Sequence, residues 1–190
     1  VGSQHGLDGQ PDVCFLTNQR KEINKMATKD AFTTEEWTLL RIVPSLVTGG
    51  VSAADPSGIF GSIKEAAAGM TGVMEALQQG SKLELLGAIM ADKSIPGLPD
   101  PKTLLGEGTR EQQMANLKAA VLERIKAVAN LVNGKATPEE AKAYKQMIMT
   151  VAEKAANASK EGGFLGFGGV RVSSAEQSFL NEVKSALQLA

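Results

Sequence analysis

Apolar residues recur along this chain at spacings of three and four, and most such runs open behind a polar residue suited to cap a helix. Phe32-Thr33-Thr34-Glu35-Glu36-Trp37 carries Thr33 as N-cap, Glu36 placed to reach back to it, and Phe32 placed to staple onto Trp37. The predicted helix continues through Leu39, Leu40, Val43 and Val47. Pro44 lacks an amide proton and should kink or split it, at a cost of about 3 kcal/mol if unrelieved. Gly49-Gly50 weakens its end further. Asp55-Pro56-Ser57 caps a second helix, with Ile59, Ile63, Ala67, Met70, Met74 and Leu77 marking one face and Gly80 stopping it. Ser81-Lys82-Leu83-Glu84 repeats the capping-box spacing and opens a short helix bearing Leu85, Leu86, Ile89 and Met90.

The stretch 93–108 holds Pro96, Gly97, Pro99 and Pro101 and reads as a long connection. Beyond it, Thr109-Arg110-Glu111-Gln112 starts a helix through Met114, Leu117, Val121, Ile125, Val128 and Val132, ended by Gly134. Thr137-Pro138-Glu139-Glu140 starts the next, through Tyr144, Met147, Ile148, Val151 and Ala155. Ser173-Ser174-Ala175-Glu176 starts the last, with Phe179, Leu180, Val183 and Leu187. No segment sustains the period-2 alternation of a strand. The expected fold is all-α, about six amphipathic helices in a compact bundle. Its domain spans 32–190, with halves 32–92 and 109–190 joined by 93–108, behind a poorly structured extension over 1–31. Met26-Ala27-Thr28-Lys29-Asp30 has the form of a natural beginning, which makes residues 1–25 an upstream extension.

A shift of 104 lays Thr33-x-Glu35-Glu36 over Thr137-x-Glu139-Glu140. Leu40, Val43, Val47, Val51 and Ala54 then fall on Tyr144, Met147, Val151, Ala155 and Ala158, and Gly58 and Phe60 fall on Gly162 and Phe164. Two pseudo-repeated halves would give such a match, as would two amphipathic helices with ordinary caps.

Composition narrows the function classes. Hydrophobic residues make up 43%, enough for a real core. Lys+Arg 20 against Asp+Glu 21 leaves a net charge of -1, without the basic excess that nucleic acid binding draws on. No stretch is long and apolar enough to span a membrane, and none near the start forms a secretory signal, so the expected location is the cytoplasm. His5 and Cys14 are the only His and Cys. They exclude an internal disulfide, a Cys/His zinc cluster and most histidine-dependent catalysis. No cofactor and no catalytic residue is expected.

Gly162-Gly163-Phe164-Leu165-Gly166-Phe167-Gly168-Gly169 is the most unusual segment. It has no Lys-Ser/Thr after its glycines and no preceding strand, which disfavours a phosphate cradle. Its aromatics either plug the core or meet a partner, which makes Phe164, Leu165 and Phe167 the candidate interaction residues. Glu35, Glu36, Glu139 and Glu140 would, in a symmetric fold, bring four carboxylates together for a hard cation, with Asp55 as a fifth. Their positions in first helical turns explain them as caps. Met70, Met74, Met114, Met147 and Met149 read as core filler. Gly58, Gly61, Gly69 and Gly72 make one side of the second helix small, as close approach of another backbone, from this chain or a second subunit, would require.

The passage Ala53-Ala54-Asp55, a turn and then a capped helix resembles the small bacterial helical proteins of the tellurite-resistance TerB type. There an Ala-Asp-Gly turn joins amphipathic helices in two related halves. Gly162 to Glu176 looks like the second turn, stretched by an insertion. Here Pro56 follows Asp55, and the second turn offers Ser159-Lys160-Glu161 with no aspartate. The resemblance implies a stress-response protein binding a metal ion through carboxylates. The residues themselves point first to a non-catalytic protein acting through contacts with a protein partner or with itself, as a homodimer, and leave a small apolar-ligand binder as a further alternative.

Overall fold

The computed structural model describes residues 27–54, 61–158 and 172–189, with side chains of the middle stretch described from residue 69 onward. These residues form seven α-helices and no strand, an all-α fold. The helices are α1 Thr34–Ala54, α2 Gly61–Gly80, α3 Glu84–Ala91, α4 Pro101–Leu105, α5 Arg110–Lys135, α6 Pro138–Ala158 and α7 Ser174–Ala186, behind a 3-10 turn over Lys29–Ala31. The helix beyond the expected six is α4, inside the supposed connection. Asp100 caps it by accepting from the Lys102 amide at 2.9 Å, Pro101 fits its first turn, and Gly106 at φ 64° closes it.

Local capping chemistry explains most helix starts. The Glu36 amide donates to Thr33 Oγ1 at 3.2 Å while the Thr33 amide donates to Glu36 Oε2 at 2.8 Å. Phe32 and Trp37 close the staple with ring centroids 5.9 Å apart. Thr109 with Gln112 and Ser173 with Glu176 form complete boxes as well. The expected box at Ser81 does not form. Helix α3 begins at Glu84 behind Leu83, which has no capping side chain, and the Ser81 hydroxyl donates backward to the Gln78 carbonyl. The Leu85 amide is satisfied from a distance, donating to Glu140 Oε1 at 3.1 Å.

Pro44 does not split α1, and the reason lies on another helix. In a regular helix the amide of residue 44 would donate to the Leu40 carbonyl. Pro44 has no such proton, and Tyr144 Oη on α6 donates to that carbonyl at 2.7 Å. Tyr144 and Leu40 are both fully buried, and burial pushes the Tyr144 hydroxyl well above the usual tyrosine range. The helix runs through Gly49-Gly50 to Ala54. A Cβ at Gly50 would lie 2.6 Å from Phe179 Cζ, so glycine there admits α7, whereas a Cβ at Gly49 would meet nothing within 4 Å.

The buried side of α2 is not the methionine face. Met70 and Met74 are 55% and 48% exposed, while Leu77 is buried and Gly69 and Gly72 face neighbours. A Cβ at Gly69 would run into the Thr48 side chain of α1. At Gly72 it would sit 3.0 Å from Lys154 Cδ and 3.5 Å from Val151 Cα of α6. At Gly69 and Gly72 the close approach comes from this chain, and turning these two glycines inward leaves Met70 and Met74 in solvent. Met147 and Met149 are buried and Met114 is half-buried.

Helices α1 and α6 form the middle of the bundle: α1 is in contact with α2, α5, α6 and α7, and α6 with α1, α2, α3, α5 and α7. One apolar cluster includes Leu40, Val47, Val121, Ile125, Tyr144 and Phe179, from both sides of the 93–108 segment. The core also reaches ahead of Phe32, since Ala27 is 1% exposed. Helices α1 and α6 are each 21 residues long, and the pairs that the shift of 104 aligns, Val43 with Met147, Val47 with Val151 and Val51 with Ala155, are all buried. Two related halves do not follow from this pair. Helix α1 leads to the 20-residue α2, whereas the next helix described after α6 is the 13-residue α7.

Candidate functional site

Among the described residues, a recess opens where the start of α1 meets the chain leaving α3. Trp37 lies in the first turn of α1, tipped inward by the Phe32 staple, and Arg41 follows one turn later on the same face. Opposite them, Asp92 ends α3 and turns the chain over Ser94: the Ser94 amide donates to Asp92 Oδ1 at 3.0 Å and the Ser94 hydroxyl to the same atom at 2.5 Å, an Asx-turn.

Both sides meet on Asp92. Trp37 Nε1 donates to Asp92 Oδ2 at 2.8 Å, Lys29 Nζ donates to it at 2.9 Å, and Arg41 Nη1 lies 3.5 Å away. Arg41 also donates to Ser94 Oγ at 2.8 Å, to the Asp92 carbonyl at 3.0 Å and to the Ser94 carbonyl. The Asp92 and Arg41 side chains are only 10% and 11% exposed. The Ser94 hydroxyl, the Trp37 indole and the Lys29 ammonium together hold the Asp92 carboxyl far below the usual carboxylate range. Lys29 Nζ also sits 5.9 Å from the centroid of the Trp37 ring.

The recess has a volume of about 460 Å³, with Lys29, Phe32, Trp37 and Arg41 on one side and Ser94 to Gly97 on the other. Lys29 and Arg41 are already committed to Asp92, while Asp30 at the edge of the recess is exposed. An Asp92 held ionised, with both oxygens accepting donors, is a poor general base. The cluster pins residues 92–94 onto α1, and the chain beyond carries Ile95 and Leu98 outward at 95% and 71% exposure.

None of the site residues expected from sequence that the structure describes lines this recess. Asp55, Phe164, Leu165 and Phe167 fall outside the described residues. Glu35 and Glu139 are exposed. Glu36 serves its capping box and accepts from Lys135, and the Lys135 hydrogen bond, then the Thr33 amide, lower its carboxyl below the usual range. Glu140 is fully buried, and its oxygens receive N–H and O–H donors. Among the described residues no group of three or more His, Cys, Asp or Glu side chains is placed to hold a metal ion. The carboxylates of Glu36 and Glu140 have their lone pairs turned to donors, which is not the donor set of a hard cation.

Sequence reasoning missed Arg41, Asp92 and Ser94 and used Trp37 only as a staple. An Asp-x-Ser step directly after a helix was the available sign, since it is the pattern of an Asx-turn. That an indole and a guanidinium 51 to 55 residues earlier converge on it is a tertiary fact. Among the described residues no helix is long and apolar enough to cross a membrane. A scan against protein-family models returns no match, and searches of curated proteins and of solved structures likewise find none.

Proposed function

We propose that this is a non-catalytic cytoplasmic protein that acts through protein–protein contacts, and that the segment carrying Ile95 and Leu98, with the recess beside it, is a contact surface. The observation that supports this reading is the display of two large aliphatic side chains on a segment anchored at Asp92 and Arg41. Solvent-exposed aliphatics on a free chain end need no explanation. On a segment fastened by an indole, a guanidinium and an ammonium group they form a presented surface.

The test places a photo-crosslinking residue at position 95 and, as control, at the exposed Glu123 of α5, in cells that make the protein. Position 95 is expected to yield discrete crosslinked products, to a second copy or to another protein, that Leu98→Asp removes. Light scattering of the purified chain then separates the homodimer from a foreign partner. Ile95→Asp with Leu98→Asp should leave the melting temperature within about a degree, because exposed substitutions away from the core change stability by less than about 0.5 kcal/mol. Equal background at positions 95 and 123 would refute the assignment of the surface.

A further inference from the structure

Glu140 is a carboxylate that takes no part in the surface described above. It is fully buried, and four donors converge on it: the Ala27 amide, the Leu85 amide, the Thr137 amide and the Thr137 hydroxyl. Every one of them is neutral. Buried carboxylates are costly unless a cation pairs with them. The charged groups on the surrounding elements are engaged or in solvent. Lys29 and Arg41 bind Asp92, Lys135 binds Glu36, and Glu84, Glu139 and Lys142 are exposed.

The place a cation would take is nevertheless filled by a nitrogen. The Ala27 nitrogen straddles the carboxylate, 3.1 Å from Oε2 and 3.3 Å from Oε1, the two-oxygen position of an ammonium ion pair. Ala27 itself is 1% exposed, and the residue before it in sequence is Met26. Methionine ahead of a small residue is the sequence that methionine aminopeptidases hydrolyse. We infer that the Met26–Ala27 bond is a processing site, and that the α-ammonium group of Ala27 released there is the charge partner of Glu140.

The chemistry is a simple hydrolysis. Water adds across the peptide bond, the Met26 carbonyl carbon takes the oxygen and leaves as a carboxylate, and the Ala27 nitrogen gains protons to become an ammonium group. The enzyme is a methionine aminopeptidase if translation starts at Met26, or an endopeptidase if the longer chain is made first. In either case an N–H shared between two oxygens becomes a three-donor cation at the same place.

The test begins with intact mass and N-terminal sequencing of the protein made from the full gene and from a gene opening at Met26. Ala27 is expected as the first residue of at least one product, and which gene yields it identifies the class of peptidase. The Ala27-started chain is then compared with its N-acetylated form, which lacks the charge, and with the 190-residue chain. The free-amine form should melt several degrees above the acetylated one at pH 7. Pairing raises the amine pKa in the folded state, so the margin is full below the ordinary α-amine range of about 7.7–8.0 and is lost as pH rises through the folded value. Glu140→Gln should erase the margin. Because that variant can fail to fold, a second readout uses the unmodified side chains: the Ala27 amine should resist an acylating reagent in the folded protein and react at once in urea. The inference is overturned if neither product begins at Ala27, if free and acetylated forms melt together at pH 7, or if the folded amine reacts as fast as an exposed lysine.

Discussion

Helices α1 and α6 open with the same four-residue device and run for the same 21 residues, yet their starts do different work. At α1, Thr33 and Glu36 satisfy each other at the surface, with Lys135 as an outside partner. At α6, Thr137 and Glu140 make the same reciprocal bonds, and Glu140 goes on to accept the amides of Ala27 and Leu85, 113 and 55 residues away. One box is a local cap. The other fastens the start of the described chain and the start of α3 to α6. What differs is the depth at which the carboxylate sits, since burial turns each unmade hydrogen bond from a minor loss into a full desolvation cost.

The largest effect should come from breaking the two boxes in parallel. Glu140→Ala strands two buried amides, at about 1–3 kcal/mol each, and the half-buried Thr137 amide, and is expected to cost more than about 4 kcal/mol in urea denaturation. Glu36→Ala removes one exposed cap and a surface ion pair and should cost about 1 kcal/mol. Equal losses in the two variants would show that depth does not separate the boxes.

A smaller effect tests the bond that ties the two helices together. Tyr144→Phe leaves the buried Leu40 carbonyl without the donor that Pro44 cannot supply, and should cost about 2 kcal/mol. Restoring an amide with Pro44→Ala should make the same substitution at Tyr144 much less harmful, a coupling that a double-mutant cycle measures directly. The pH dependence follows from the raised Tyr144 pKa. Its contribution is intact below the ordinary value of 10.0 and is lost as pH climbs above it, because only the unfolded chain ionises there. The Phe variant should lack that alkaline loss.

The smallest effect distinguishes two adjacent residues of α1. Gly50→Ala pushes a methyl group into Phe179 and should destabilise by about 1 kcal/mol, whereas Gly49→Ala enters open space and should stabilise by about 0.5 kcal/mol. Opposite signs, read from thermal melts of the two variants, would confirm that Gly50 alone marks where α7 packs.

Much of the architecture was legible because it rests on short-range rules. The boxes at Thr33, Thr109, Thr137 and Ser173, the apolar positions of α5, α6 and α7, and the all-α class depend on contacts three or four residues apart. The errors fall where a neighbour in space overrules a local preference. Pro44 should have broken α1 and is relieved by Tyr144, Ser81 should have capped α3 and is replaced by Glu140, and the methionine face of α2 gives way to its glycines. The α4 helix was concealed by the prolines that surround it, although Asp100-Pro101 is itself a cap signal.

The sequence by itself determined every described helix but α4 and which side of most of them is apolar, because helical periodicity and capping act within a turn or two of the chain. Tertiary structure alone decided what those residues do. It made one of two identical glutamate caps a buried junction, and it drew Lys29, Trp37 and Arg41 onto Asp92 so that Ile95 and Leu98 face outward. The physical reason is that desolvation and hydrogen-bond satisfaction depend on the full three-dimensional surroundings of a group, and residues 55 to 113 positions apart bring those surroundings together.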